Sequence, residues 1–126
     1  MKKKLTGIEL SLGDAIDKVS ILSRKIAFGE EGAYKEHTYI CEAIDKLNIK
    51  LSGAILAAIV RICFSNFEVW NRENTFRRGE EMDAVEVKKM MIEVRNFNSK
   101  RIEAKNEINR LSGRGFREFK IQHRSR

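Results

Sequence analysis

Residues 84–111 read AVEVKKMMIEVRNFNSKRIEAKNEINRL, with neither proline nor glycine, and within them Val87, Met91, Val94, Asn98, Arg101, Lys105 and Ile108 recur at steps of four and three. That period lines all seven along one seam of an α-helix. The seam is apolar at both ends and polar in the middle, so whatever packs on this helix meets an amide, a guanidinium and an ammonium there. A buried cation is costly unless it is paired. At ~1.5 Å of rise per residue the polar stretch spans about 10 Å, the length of a small phosphate-bearing ligand or of a run of paired side chains. Asp83 with Glu86 gives the helix a capping-box start, and Gly113 and Gly115 stop it.

Three further helices are predicted upstream, over residues 12–28, 33–51 and 54–78. Ser11 stands three residues before Asp14 at the start of the first, whose stripe Ala15, Val19, Leu22, Ile26 ends at Gly29. The second carries Ile40, Ile44, Leu47 and Leu51 against a charged opposite face. The third begins almost wholly apolar, which predicts a buried helix, and turns polar after Trp70 before Arg77, Arg78 and Gly79 end it. The chain holds no proline, and 126 residues suit one domain. The expected fold is mainly α, a four-helix antiparallel bundle. A short β-ribbon is added if residues 5–10 and 116–122 form strands and pair.

The net charge of +7 sits at the ends: Lys2, Lys3 and Lys4 open the chain, and residues 110–126 hold six basic residues against Glu118 alone, so residues 5–109 net to −1. Long-range attraction for anions therefore comes from the termini. The longest apolar run, from Ala54 to Val60 and on through Phe64 with Arg61 inside it, falls short of the ~20 residues that cross a bilayer. No apolar stretch follows the first lysines in the manner of a secretory leader, so a cytoplasmic protein is expected, with no membrane partner. Cys41 and Cys63 sit within helical patterns and read as small core residues rather than a disulfide pair.

Enzyme signatures are missing. No glycine loop ending in Gly-Lys-Ser/Thr or glycine fingerprint after a strand occurs, and His37 and His123 are single and distant. Glu80, Glu81, Asp83 and Glu86 at a helix start are explained by the helix dipole, so neither metal nor cofactor is expected.

The third helix places Trp70, Glu73, Asn74 and Arg77 on one face, an aromatic plate followed by a carboxylate, an amide and a guanidinium. Simple antiparallel pairing across the turn at 79–83 sets Arg61 opposite Arg101, and two facing arginines need an anion between them. Asp14, Asp17, Glu42, Asp45 and Glu73 are available inside the chain, which would make the polar seam an internal ion-pair network that sets helix register. A bound anion would make it a binding site.

The stretch from Leu10 to Leu22 (LSLGDAIDKVSIL), then Trp70-x-x-Glu73 with Arg77, then Asn98-x-x-Arg101-x-x-x-Lys105-x-x-Ile108-Asn109, and finally Glu118-x-Lys120 together resemble a family of short uncharacterised helical proteins encoded by bacteria and their phages. The resemblance covers most of the chain. It implies a helical fold and marks Asp17, Trp70, Glu73, Arg77, Asn98, Arg101, Lys105 and Asn109 as a site, without naming an activity.

The residues point to a non-enzymatic binding protein for a small anionic, nucleotide-like ligand, acting by sequestration or sensing; phage-encoded capture of a host nucleotide signal is one version. Arg61, Arg77, Arg101 and Lys105 would take phosphate or carboxylate, and Trp70 would stack. A second reading is nucleic-acid binding through the basic ends, where Phe116 and Phe119 alternate with Arg114, Arg117 and Lys120. A third is a structural helical assembly protein. Under each, the amphipathic second helix and half-polar fourth helix predict a homo-oligomer.

Overall fold

The computed structural model describes residues 10–79 and 81–113, and among them the chain is mainly helical with no strand. Helix α1 spans Leu12–Ala27, α2 Tyr34–Asp45, α3 Gly53–Arg77 and α4 Ala84–Ser112, with one 3-10 turn at Glu31–Ala33 leading into α2. The β-ribbon is not supported. Apart from Leu10, which is in no strand, its two segments lie outside the described residues.

The caps are those the sequence encodes. Ser11 Oγ accepts the Asp14 N–H at 3.0 Å, and Ser52 Oγ accepts the Ile55 N–H at 3.1 Å. Asp83 and Glu86 complete a reciprocal capping box, each side chain accepting the other's backbone N–H. Gly113 ends α4 at φ +70°, a conformation that side chains with a Cβ rarely adopt.

Helix α2 is shorter than its apolar stripe predicts. It ends at Asp45, and Asn48 takes a left-handed backbone, φ 54°, that the 3.6 period cannot reveal but that asparagine tolerates. The turn lets Leu47 and Ile49 pack on the core from outside a helix, and it leaves Leu51 63% exposed.

Helix α1 rests on both α3 and α4. Its Leu12 joins Ala58 and Ile62 of α3 and Ala104 and Ile108 of α4 in one cluster, edged by Ile16, Ile44, Leu47, Ile49 and Ile59. Ala15 and Leu22, on another side of α1, hold Ile40 of α2 with Val19 and Ile44. Burying one such side chain contributes ~1.5–3 kcal/mol, so the fully buried Ile40, Ile62 and Ile108 are principal anchors. Along α3 the partners on α4 descend in number as α3 ascends: Ile62 clusters with Ile108, Phe64 meets Phe97 edge-on, and Arg72 pairs with Glu93 at 3.0 Å.

Gly13 fixes how closely α1 approaches α4. A Cβ there would fall 2.5 Å from the Lys105 carbonyl oxygen, inside any tolerable contact. Its N–H donates to Asn109 Oδ1 at 2.7 Å, so the same close approach supplies a partner for one of the amides left unpaired at the start of α1.

The expectation that α3 is a buried helix is corrected. Ile55, Ala58, Ile62, Ser65, Asn66 and Val69 are buried, while Leu56, Val60, Phe64 and Phe67 on another face are exposed. An apolar run carries no period with which to separate an inner from an outer face. Cys63, read from the sequence as core, is exposed, and both it and the half-buried Cys41 are free thiols. By length and composition α3 is also the one helix among the described residues apolar enough to cross a membrane.

Candidate functional site

Arg101 and Lys105 stand four positions apart on α4, and Asp14 and Asp17 three apart on α1, so each pair shares a helix face. Packed together they form two rungs. Arg101 donates from Nε to Asp17 Oδ1 at 2.9 Å and from Nη2 to Asp17 Oδ2 at 2.7 Å, a bidentate pair. Lys105 Nζ lies 2.9 Å from Asp14 Oδ1 and 3.9 Å from Asp17 Oδ2. Asn66 of α3 donates to Asp17 Oδ1 at 2.8 Å and to Ser20 Oγ at 3.2 Å, tying the third helix to the same carboxylate.

Burial alone would raise the Asp17 pKa. The hydrogen bonds and charge of Arg101, with Asn66 and Lys105, outweigh it and hold the carboxyl below its ordinary value. Burial likewise works against the Arg101 cation, and Asp17 foremost, then Asp14 and Glu73, hold its pKa above the usual value. Asp14 Oδ2 and Asn109 Nδ2 are buried without a hydrogen-bond partner.

Arg101 Nη1 donates to Asn98 Oδ1 at 3.1 Å. Three of the five donors of a guanidinium are thereby engaged, and Arg101 also lines a neighbouring cleft. That cleft, about 260 Å³, is lined by Arg24 of α1, Asn66, Trp70, Glu73 and Arg77 of α3, and Asn98 and Arg101 of α4. Arg77 Nη2 is 3.7 Å from Glu73 Oε1, a pair exposed on both sides and so of small value. Arg24 lies with its guanidinium carbon 4.9 Å from the Trp70 ring centroid. Burial is the main cause that lowers its pKa, and Arg77 adds to it against Glu30 and Glu73.

Of the residues the sequence marks, the fold brings Asp17, Trp70, Glu73, Arg77, Asn98, Arg101 and Lys105 to the ladder or the cleft, and Asn109 to the helix contact at Gly13. Asn74 is half-buried and outside the cleft. Two expectations are corrected. Arg61 does not face Arg101: it neighbours the buried Ile62 and is itself exposed, because counting residues from a turn fixes height along a helix pair but not helical phase. Trp70 is not a free stacking plate, since Phe28 already stacks on it with ring centroids 5.1 Å apart. Sequence reasoning missed Arg24 and Asn66. Arg24 was findable as the next step of the Asp14, Asp17, Ile21 face, and Asn66 as a polar position beside Ile62 and Val69 on the buried face of α3.

Elsewhere, Ser23 Oγ is 2.9 Å from His37 Nε2, and the nearest group to His37 Nδ1 in this contact is the Cys41 sulfur at 3.9 Å. Among the described residues no carboxylate is hydrogen-bonded to the ring, and burial, with Asp45 and Glu42, pushes the Cys41 thiol pKa up, away from a nucleophilic thiolate. Among the described residues no three His, Cys, Asp or Glu side chains gather as a metal site. No family model, curated protein or solved structure matches the chain.

Proposed function

We propose that the chain is a non-enzymatic cytoplasmic binder of a small anionic ligand, an antiparallel four-helix bundle whose cleft between α1, α3 and α4 takes a phosphate or carboxylate of nucleotide-like chemistry. One observation carries the reading: Arg24, Arg77 and Arg101 converge on a polar cleft that has a single carboxylate, Glu73, in its lining. Asp17 stands behind Arg101 and fixes its guanidinium, so the ligand would meet donors already oriented. A base would reach the Trp70 ring only by displacing a group already on it, Phe28, which is 61% exposed, or Arg24.

The test is calorimetric titration and thermal melting with inorganic phosphate and a panel of linear and cyclic nucleotides, on wild type, Arg24→Gln and Arg77→Gln. Charge-assisted hydrogen bonds are worth ~1.5–3 kcal/mol, so each variant should weaken the best ligand by about tenfold or more while its apo midpoint stays near wild type. A panel in which no anion raises the wild-type midpoint rejects the reading.

A second reading has its own observation. The bidentate Arg101–Asp17 pair and the Lys105–Asp14 pair are what a register-fixing network looks like without any ligand. Arg101 alone does not distinguish the two, because its loss harms the apo fold under both. Arg24 and Arg77, which have no place in the ladder, do.

A further inference from the structure

Between Gly53 and Phe67 the only charged residue is Arg61, and on the outer side of this stretch Leu56, Val60, Phe64 and Phe67 are 50, 57, 56 and 44% exposed. Steps of four, four and three make them one ridge along α3. Beside the ridge, between α1 and α3, runs a groove of about 360 Å³ whose walls are mostly apolar, Ile16, Val19, Ile59, Cys63 and Phe67, with Arg24 and Asn66 also in its lining. On a soluble protein the largest continuous apolar patch often marks an interaction site.

We propose that this face is the contact between two copies of the chain, related by a two-fold axis crossing α3 near Ile62. The inference does not depend on what the cleft binds. Three observations select a second copy as the occupant. A two-fold contact must present both halves of the fit on one patch, and here the apolar ridge and the apolar groove lie side by side. About such an axis Val60 meets the partner's Phe64 and Ala57 meets the partner's Phe67, small against large, as interdigitation requires. The ridge holds about 400 Å² of exposed apolar surface, taking roughly 200 Å² for a whole large side chain. With the groove walls this approaches the apolar core of a standard interface, roughly two thirds of ~800 Å² per partner.

Arg24 is the one charged side chain lining the ridge and groove, so the face offers little by which a charged partner would be chosen. A bilayer is the other apolar sink, but the inner side of α3 is bound to α1 through Asn66 and to α4 through Arg72, so α3 cannot be lipid-covered all round in this fold.

Sedimentation of the full chain across a wide concentration range tests the proposal, with Phe64→Glu and Val60→Glu on the face and Val85→Glu, 77% exposed on α4, as the control. Wild type and Val85→Glu should sediment as dimers. Both face variants should keep their helical circular dichroism and dissociate, with the dimer constant weakened about a hundredfold, since each buries an unpaired carboxylate at the contact. A short bismaleimide should also join two wild-type copies through Cys63. A wild type that stays monomeric at every concentration overturns the proposal, as do face variants that stay folded and dimeric. Flotation of a monomeric wild type with phosphatidylcholine vesicles, lost in Phe64→Glu, would overturn it by giving the face to lipid.

Discussion

Arg101→Met should be the most damaging single change that leaves the hydrophobic clusters intact. Asp17 is 5% exposed and accepts two hydrogen bonds from Arg101 and one from Asn66. The substitution leaves a buried carboxylate with one amide and with Lys105, whose ammonium is 3.9 Å away and already engaged by Asp14. Stranding a buried charge costs about 3–5 kcal/mol. The Arg101 side chain is 26% exposed, and Lys105 compensates in part, so the lower end, about 3 kcal/mol, is expected at neutral pH. For a chain of this size that is roughly a 10 °C fall in Tm.

The pH dependence gives the claim a second edge. In wild type the Asp17 pKa lies below the ordinary aspartate value of 3.8, so its contribution is present above that value and is lost as pH falls through the lower, folded pKa. In Arg101→Met burial is no longer outweighed and the folded pKa rises above 3.8, so the folded state of the variant takes up the proton first. Its stability then falls as pH rises through that window, and the gap to wild type widens from about pH 4 upward. Urea unfolding followed by circular dichroism at several pH values between 4 and 7.5 reads both quantities. Pairing the change with Asp17→Asn should recover much of the loss, since no charge is then stranded. A penalty under about 1 kcal/mol at neutral pH, or a gap that does not change with pH, would refute the ladder as described.

Two further outcomes follow from the helix contacts. Gly13→Ala puts a methyl group 2.5 Å from the Lys105 carbonyl, so α1 must lift off α4, and the midpoint in urea should show a loss of about 1–3 kcal/mol despite alanine's better helix propensity. Asp83→Ala removes the exposed capping box of α4 and should cost about 1 kcal/mol by the same measurement.

Much of this was legible in the sequence because it rests on local chemistry. Ser11 and Asp83 announce helix starts that the backbone then uses. The polar interruption at Asn98, Arg101 and Lys105 in an otherwise apolar seam announces that something charged must lie opposite. Which acid answers is a tertiary fact: Asp14, Asp17, Glu42, Asp45 and Glu73 were equally available, and only the docking of α1 through Gly13 selects the first two. The outer face of α3 was illegible for a different reason. Selection of an apolar face reads as burial whether the cover is the same chain or another one, so Phe64 and Ile62 look alike in sequence, although one is 56% exposed and the other fully buried. Asn48 hid the end of α2 because a single left-handed residue leaves the apolar stripe unbroken.

The ladder also explains why the seam between α1 and α4 is polar at all. Apolar seams tolerate sliding, because one aliphatic side chain substitutes for another at modest cost. Two acids three apart facing two cations four apart do not slide: a shift of one helical turn that brought Lys105 onto Asp17 would leave Asp14 buried with no cation, and Arg101 with no acid. Lys105 Nζ already sits 3.9 Å from Asp17 Oδ2, so the misregistered pairing is close in space and must be excluded by energy rather than by distance. The Gly13 contact to Asn109 excludes it a second time, since the same slide would put Ile16, with its Cβ, where Gly13 meets the α4 backbone. Register set this firmly fixes the Arg101 guanidinium where it lines the cleft beside Arg24 and Arg77.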